Sequence, residues 1–198
     1  MKSSIRPRPK SSDFMEIAPP PGADLRAMEV SRIVAPTLAA ARAAADDVNA
    51  ADSLYQRSST FLGGRKYWSS RVRSRSDVHA AIVKGVPYGS LVFFVANTKL
   101  LSEEDVAKVL GISTRTLRRQ AETPDKAMPT ELASKAWQVA ETLAKATDIF
   151  GGKDEAERWM STPAIGLDGQ RPIDLLQTLQ GAEVVNDFLV RLDYGVYA

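Results

Sequence analysis

No cysteine occurs in the 198-residue chain. That excludes a disulfide framework and thiolate chemistry, and it fits a cytoplasmic protein. No apolar run approaches the roughly 18 residues needed to cross a bilayer, and Leu91 to Ala96 is far too short, so no membrane partner is expected. The basic N-terminus is not followed by an apolar h-region, so no secretory signal is expected. The single histidine, His79, has no acidic or hydroxyl constellation near it in sequence and reads as structural, because a catalytic base needs positioned partners. No metal-ligand cluster, phosphate-cradling glycine loop or nucleophile–base pair is legible. The expectation is a chain that is not an enzyme and takes no cofactor and no metal.

What is present is unevenly distributed. The apolar fraction of 44% supports a packed core. The net charge of +2 divides into 13 Lys+Arg against 7 Asp+Glu over residues 1–75, and 13 against 17 over residues 76–198. Such a split suggests a polyanion for one part and a different partner for the other. Met1 to Gly22 carries Pro7, Pro9, Pro19, Pro20 and Pro21 among Ser, Lys and Arg, and reads as an extended or disordered tail. Pro36 to Val48 is Ala-rich and helix-prone, but short of large apolar side chains. Between Ser53 and Ser76, Arg57, Arg65, Lys66, Arg71, Arg73 and Arg75 occur without any acidic residue, with Tyr67 and Trp68 among them. This stretch suits either an arm on a nucleic-acid backbone or, the reading preferred here, a solvated linker whose Trp68 tucks onto the core.

The folded part is expected to begin near Ser76, as a cap for a helix over Asp77 to Lys84 stopped by Gly85. Pro87 opens another helix to Asn97, although Leu91 to Val95 also has strand propensity. The stretch that organises the chain is Glu103 to Gln120. Val106, Ala107 and Leu110 share one face of a first helix capped by Ser102. Gly111 can take the left-handed conformation at its end. Ile112 plugs the corner, Ser113 caps a second helix and Leu117 points back at the first. This is the layout of a DNA-binding helix-turn-helix, whose second helix enters the major groove. Ser113, Thr114, Arg115, Thr116, Arg118 and Arg119 are the candidate DNA-binding residues, because hydroxyls reach phosphates or bases and Arg forks onto guanine. The rival reading is an ordinary helical hairpin with a basic outer face.

After Pro124 and Pro129 a long helix is expected over Glu131 to Phe150, with Leu132, Ala136, Val139, Ala140 and Leu143 inward and Gly151 and Gly152 as its end. A last unit follows. Asp154 is expected to cap a helix containing Trp159, and Leu167-Asp168-Gly169-Gln170 a turn. Pro172 opens a helix containing Ile173, Leu175, Leu176 and Leu179, and Gly181 punctuates. A final helix to about Tyr194 buries Val184, Val185, Phe188, Leu189 and Leu192, and Gly195 stops it.

Trp159, Pro163, Leu167, Gly169, Pro172, Asp174, Leu175, Leu176, Gly181, Val184, Val185, Leu189, Gly195, Val196 and Tyr197 form a pattern that resembles the toxin-binding domain of Xre/MbcA/ParS-type antitoxins, partners of RES-domain toxins. Arg115-Thr116-Leu117-Arg118-Arg119 resembles the Xre-like helix-turn-helix of that family. The resemblance covers roughly residues 76–198 and implies an all-α arrangement: a helix-turn-helix domain over 76–150 and a small helical toxin-binding domain over 151–198. The basic Pro/Ala/Ser-rich N-terminal extension over 1–75, expected to be partly disordered, lies outside the resemblance and is unusual for the family. It implies a cognate RES-domain toxin that degrades NAD or ADP-ribosylates a target, silenced when the C-terminal helix and tip lie over its cleft. Arg191, Tyr194, Gly195, Val196, Tyr197 and Ala198 are then the candidate toxin-binding residues; the alternative is that Val196 and Tyr197 fold back on their own bundle. Asp168 and Asp174 are expected to cap or shape turns. The resemblance also implies autorepression at operator DNA, as a homodimer or a hetero-oligomer with toxin. A plain helix-turn-helix regulator whose C-terminal bundle only oligomerises is the alternative.

Overall fold

The computed structural model describes residues 53–68 and 72–195, all within one compact unit, Asp46–Ala198. The sequence expectations for Met1 to Gly22, for Pro36 to Val48, and for Arg71, Val196, Tyr197 and Ala198 lie outside the described residues. The described residues are helical or irregular, with two isolated bridges, Pro87 with Ala127 and Ala164 with Gln170. One hydrophobic cluster runs from Leu62 to Leu189.

The packed body reaches back beyond Ser76. Residues 53–61 are helical (α1), and Leu62 and Trp68 are buried in the shared core. The Trp68 indole packs on Trp137 with ring centroids 4.8 Å apart, and Tyr55 stacks on Trp137 at 6.3 Å. The Trp68 Nε1–H donates to Ser90 Oγ at 3.1 Å, and that hydroxyl donates to the Leu62 carbonyl at 2.8 Å. A buried indole N–H thus finds its partner inside the core. The Tyr67 ring fits only because Gly63 and Gly89 have no side chain: a Cβ on either would lie 2.5 Å from a ring carbon. Trp68 tucks onto the core as expected, but its segment is a helix and turn of the body and not a linker. Arg57, one of its cations, is paired with Asp148.

Helix α2, Arg75–Lys84, is capped by Ser74 and not by Ser76. The Asp77 N–H donates to Ser74 Oγ at 3.2 Å while Asp77 Oδ2 accepts from the Ser74 N–H at 3.1 Å, a reciprocal capping box that Ser76 has no acid to complete. Leu91 to Val95 is helical, within α3, Tyr88–Asn97. Two early N–H groups of that helix are satisfied by the loop containing Pro124 and Lys126: Tyr88 donates to the Lys126 carbonyl at 2.9 Å and Gly89 to the Pro124 carbonyl at 2.7 Å. His79 is exposed.

The motif helices are α4, Glu103–Leu110, and α5, Thr114–Ala121. Helix α6, Thr130–Phe150, is the central beam, burying Leu132, Ala136, Val139, Ala140 and Leu143 and ending at Gly151 with φ 76°. Helix α7, Lys153–Ser161, starts from Gly152, so Asp154 lies in its first turn and is not its cap. Helix α8 is only Pro172–Leu175, with Pro172 in its first turn as expected. Helix α9, Leu179–Asp193, is capped by Thr178, whose hydroxyl accepts from the Gly181 N–H at 3.0 Å. Gly181 therefore lies inside this helix and does not separate two. It is glycine because a Cβ would come within 2.1 Å of the Leu175 carbonyl oxygen, which lets α9 start hard against α8. Leu179, expected on the inner face of the preceding helix, is exposed.

Candidate functional surfaces

The turn between α4 and α5 has the chemistry expected of it. Gly111 sits at φ 70°, ψ 28°. Its N–H donates to the Lys108 carbonyl and the Ile112 N–H to the Ala107 carbonyl, both at 3.1 Å, so the end of α4 leaves few orphan carbonyls. Ser113 Oγ accepts from the Thr116 N–H at 3.0 Å. Val106, Ala107, Leu110 and Leu117 are buried between the helices, with Ile112 packed at the corner.

The six candidate DNA-binding residues do not present equal faces. Arg115 and Arg119 are exposed, one turn apart and, by helical spacing, opposite buried Leu117. Thr114 is half-buried, and Ser113 and Thr116 share a 2.9 Å hydroxyl contact around the cap. Arg118 is exposed but engaged: its Nε donates to both Glu103 carboxylate oxygens at 3.0 and 3.1 Å, and its Nη2 to Oε2 at 2.9 Å.

Two contacts that sequence reasoning missed fix this motif to the C-terminal helices. In the first, Arg171 Nη2 donates to Asp105 Oδ1 at 2.8 Å and Arg171 Nε to Asp174 Oδ2 at 2.6 Å, while Lys108 Nζ reaches Asp174 Oδ1 at 2.9 Å. Arg171 beside it holds the Asp174 carboxyl below its ordinary range. Burial would raise the Asp105 carboxyl, but hydrogen bonds from Ser102 and Arg171 outweigh it and hold it low as well. The Arg171 guanidinium is correspondingly held above its ordinary value, by Asp174 first and Asp105 second. Asp105 thus does more than complement the helix dipole. The three-residue spacing of Arg171 and Asp174 was a usable signal; their pairing with Asp105 and Lys108 was not, since the partners are 66 residues apart.

In the second contact, Glu157 is fully buried in α7, and its Oε2 accepts from the Lys99 and Leu100 N–H groups, each at 2.7 Å. Its other oxygen makes no hydrogen bond; the Lys153 ammonium lies 3.5 Å away. Lys99 Nζ pairs with Asp154 at 2.9 Å. The loop leading into α4 is thereby tied to α7.

At the far end of the chain, Val185 and Leu189 form the buried line of α9. Phe188 stacks on Trp159 at 6.3 Å with planes 6° apart, and Trp159 meets Phe150 at 5.2 Å. Gly166 lies against the Phe188 ring, where a Cβ would come within 2.2 Å. Val184, expected to be buried, is 47% exposed, because it is turned about 100° around the helix from Val185, whose line with Leu189 sets the inner face; Leu192 is half-buried. Val190 and Tyr194 are exposed at 53% and 79%, and Ile165 is almost wholly exposed. The Arg191 guanidinium lies 5.7 Å from the Phe188 ring centre, and Gly195 follows at φ 67°. Of the candidate toxin-binding residues, Arg191, Tyr194 and Gly195 thus gather at the exposed end of α9, while Val196, Tyr197 and Ala198 fall outside the described residues.

Among the described residues no helix is long and apolar enough to cross a membrane, and no group of His, Asp or Glu is placed to hold a metal ion.

Residues 145–195 match the family described as the antitoxin Xre/MbcA/ParS C-terminal toxin-binding domain, a span from the last turns of α6 to the end of α9. A protein named antitoxin Xre from Yersinia enterocolitica is 34% identical over 99 residues, covering 50% of this chain and 66% of that protein. Antitoxin Xre from Photorhabdus laumondii is 27% identical over 124 residues, 62% of this chain and 82% of the relative. The Prs ADP-ribosylating antitoxin of a Sphingobium species is 28% identical over 130 residues, 62% of this chain and 81% of the relative. With a matching toxin-binding domain and relatives whose similarity extends well beyond it, the chain belongs to the Xre/MbcA/ParS-type antitoxins.

Proposed function

We propose that this antitoxin silences a RES-domain toxin, an NAD-degrading or ADP-ribosylating enzyme, by laying α9 and the tip beyond it over the toxin's cleft, and that it represses its own operon through α5. The observation that carries the first part is the match of residues 145–195 to a toxin-binding domain whose last helix leaves Val190 and Tyr194 in solvent. Apolar and aromatic side chains at a helix end, with the flat Arg191 guanidinium beside them, have the composition of anchors for a pocket and for a carboxylate at its rim. The second part is supported by Arg115 and Arg119, exposed on the outer face of a capped helix held by Leu117, with Ser113, Thr114, Thr116 and Arg118 around them. A homodimer or a hetero-oligomer with toxin would pair two such helices on one operator and raise affinity through effective concentration. In this role the chain itself performs no chemistry.

Co-expression with the toxin encoded by the neighbouring reading frame tests the first part. Deleting Val196 to Ala198 is expected to abolish protection of growth and of cellular NAD while operator binding persists. Normal protection by the truncated chain overturns the capping mechanism. The same exposed residues of α9 also suit a plain regulator that uses them to oligomerise; that reading predicts no co-purifying toxin and a loss of oligomers on Tyr194→Asp.

A further inference from the structure

We propose that Arg118 serves DNA binding by masking Glu103, and does not itself contact DNA; this rests on the DNA-binding reading above. The guanidinium meets the carboxylate fork to fork, with three N–O distances between 2.9 and 3.1 Å. That planar match is the strongest way for arginine to hold a carboxylate, and it orients both side chains. Glu103 is the first residue of α4, directly after its Ser102 cap, so its backbone is fixed at the edge of the motif.

Three acids occupy that first turn, Glu103, Glu104 and Asp105. Asp105 is neutralised by Arg171, and Glu103 by Arg118. A duplex lying along the outer face of α5 brings phosphates towards Glu103. Were Arg118 to swing onto a phosphate, it would exchange one charge-assisted bond for another and leave a bare carboxylate beside a polyanion. Arg115 and Arg119 carry no such obligation: neither has an acidic partner among the described residues, and both lie opposite Leu117, whereas Arg118 is turned about 100° around the helix from Leu117. The chain therefore offers two arginines of α5 to phosphates or bases and keeps the third to cancel its own acid.

The test uses the full chain and a duplex of mixed sequence, with binding measured across a salt series. Each phosphate neutralised steepens the slope of log K against log salt by about 0.9. Arg115→Ala is expected to flatten the slope by about that amount. Glu103→Gln releases Arg118 and is expected to steepen it by a similar amount. Arg118→Ala unmasks Glu103 and weakens binding severalfold, and Glu103→Gln combined with Arg118→Ala returns it to the wild-type value. A double variant as weak as Arg118→Ala alone makes Arg118 a DNA contact and overturns the inference. Should the Arg118 variants fold poorly, Glu103→Gln alone decides, and an unchanged slope overturns the inference. Absence of any duplex binding by the wild-type chain sinks the DNA-binding reading itself, and the masking role with it.

Discussion

The α4–α5 motif and the end of α9 solve opposite problems. In the motif every large apolar residue faces inward, and what remains outside is charge and hydroxyl: Arg115, Arg119, Ser113 and the Glu103–Arg118 pair. At the end of α9 the inner line is filled by Val185 and Leu189, yet Val190 and Tyr194 are left outside. A surface made only of solvated charge gains on meeting a polyanion, through counterion release. A surface with uncovered apolar side chains gains on meeting another apolar surface. Under the proposed function the two surfaces would meet partners of different kinds, and the Arg171–Asp105–Asp174–Lys108 network joins the motif to the C-terminal helices.

The largest effect that would break this comparison comes from the core of the motif. Leu117 is 4% exposed, so Leu117→Asp buries an unpaired carboxylate and loses the packing of a leucine, costing about 3 kcal/mol or more. Thermal unfolding should move down by roughly 10 °C, and an unchanged midpoint would mean that the motif is not packed as described. Next is Gly181→Ala, which pushes a methyl into the Leu175 carbonyl and should cost about 1–3 kcal/mol while forcing α9 away from α8. Toxin neutralisation should fall more than DNA binding; equal loss of both would mean the two surfaces are not separable.

Arg115→Ala with Arg119→Ala should leave the melting midpoint within a degree or two, since neither side chain is packed. It should remove most duplex binding in a gel shift and leave toxin binding intact, which sharpens the contrast directly. The smallest effect concerns the joint between the surfaces. Asp105 and Asp174 are held below their ordinary values, so the unfolded chain takes up their protons first as pH falls. Their stabilisation is complete above the ordinary aspartate pKa near 3.8 and is lost as pH drops through the lower folded values. Wild type should lose about 1 kcal/mol more than Asp174→Asn between pH 6 and 3, read from urea midpoints at each pH; parallel pH curves would remove the network from the stability of the joint.

Much of this body was legible residue by residue. Gly111, Ser113, Leu117 and Ser102 occupy the roles their chemistry assigns, because caps, left-handed glycines and inward leucines act within one or two turns. The long helix over Thr130–Phe150 followed from its apolar period. Some local readings shifted by a residue or two, at Ser74 and Gly152; the larger changes involve distant groups. Segment 53–68 has the composition of a linker, yet its aromatic residues close on Trp137 and on the glycine gap at Gly89, neither visible from the segment itself. Val184 and Val185 are equally apolar, and only packing against the rest of the body chose which faces inward. Arg118 remains a candidate DNA residue by its place on the helix; what the sequence did not show is its carboxylate partner, 15 residues earlier.

The sequence by itself determined the α4–α5 motif with its caps and turn, the long helix α6, the helical class and the family, because each of those depends on short-range backbone chemistry or on a contiguous pattern. Only the tertiary structure decided which charges are free and which are paired, which apolar residues remain in solvent, and that residues 53–68 belong to the core. Those outcomes depend on which side chains come within a few ångströms of one another across many residues of chain, and neither composition nor spacing encodes that distance.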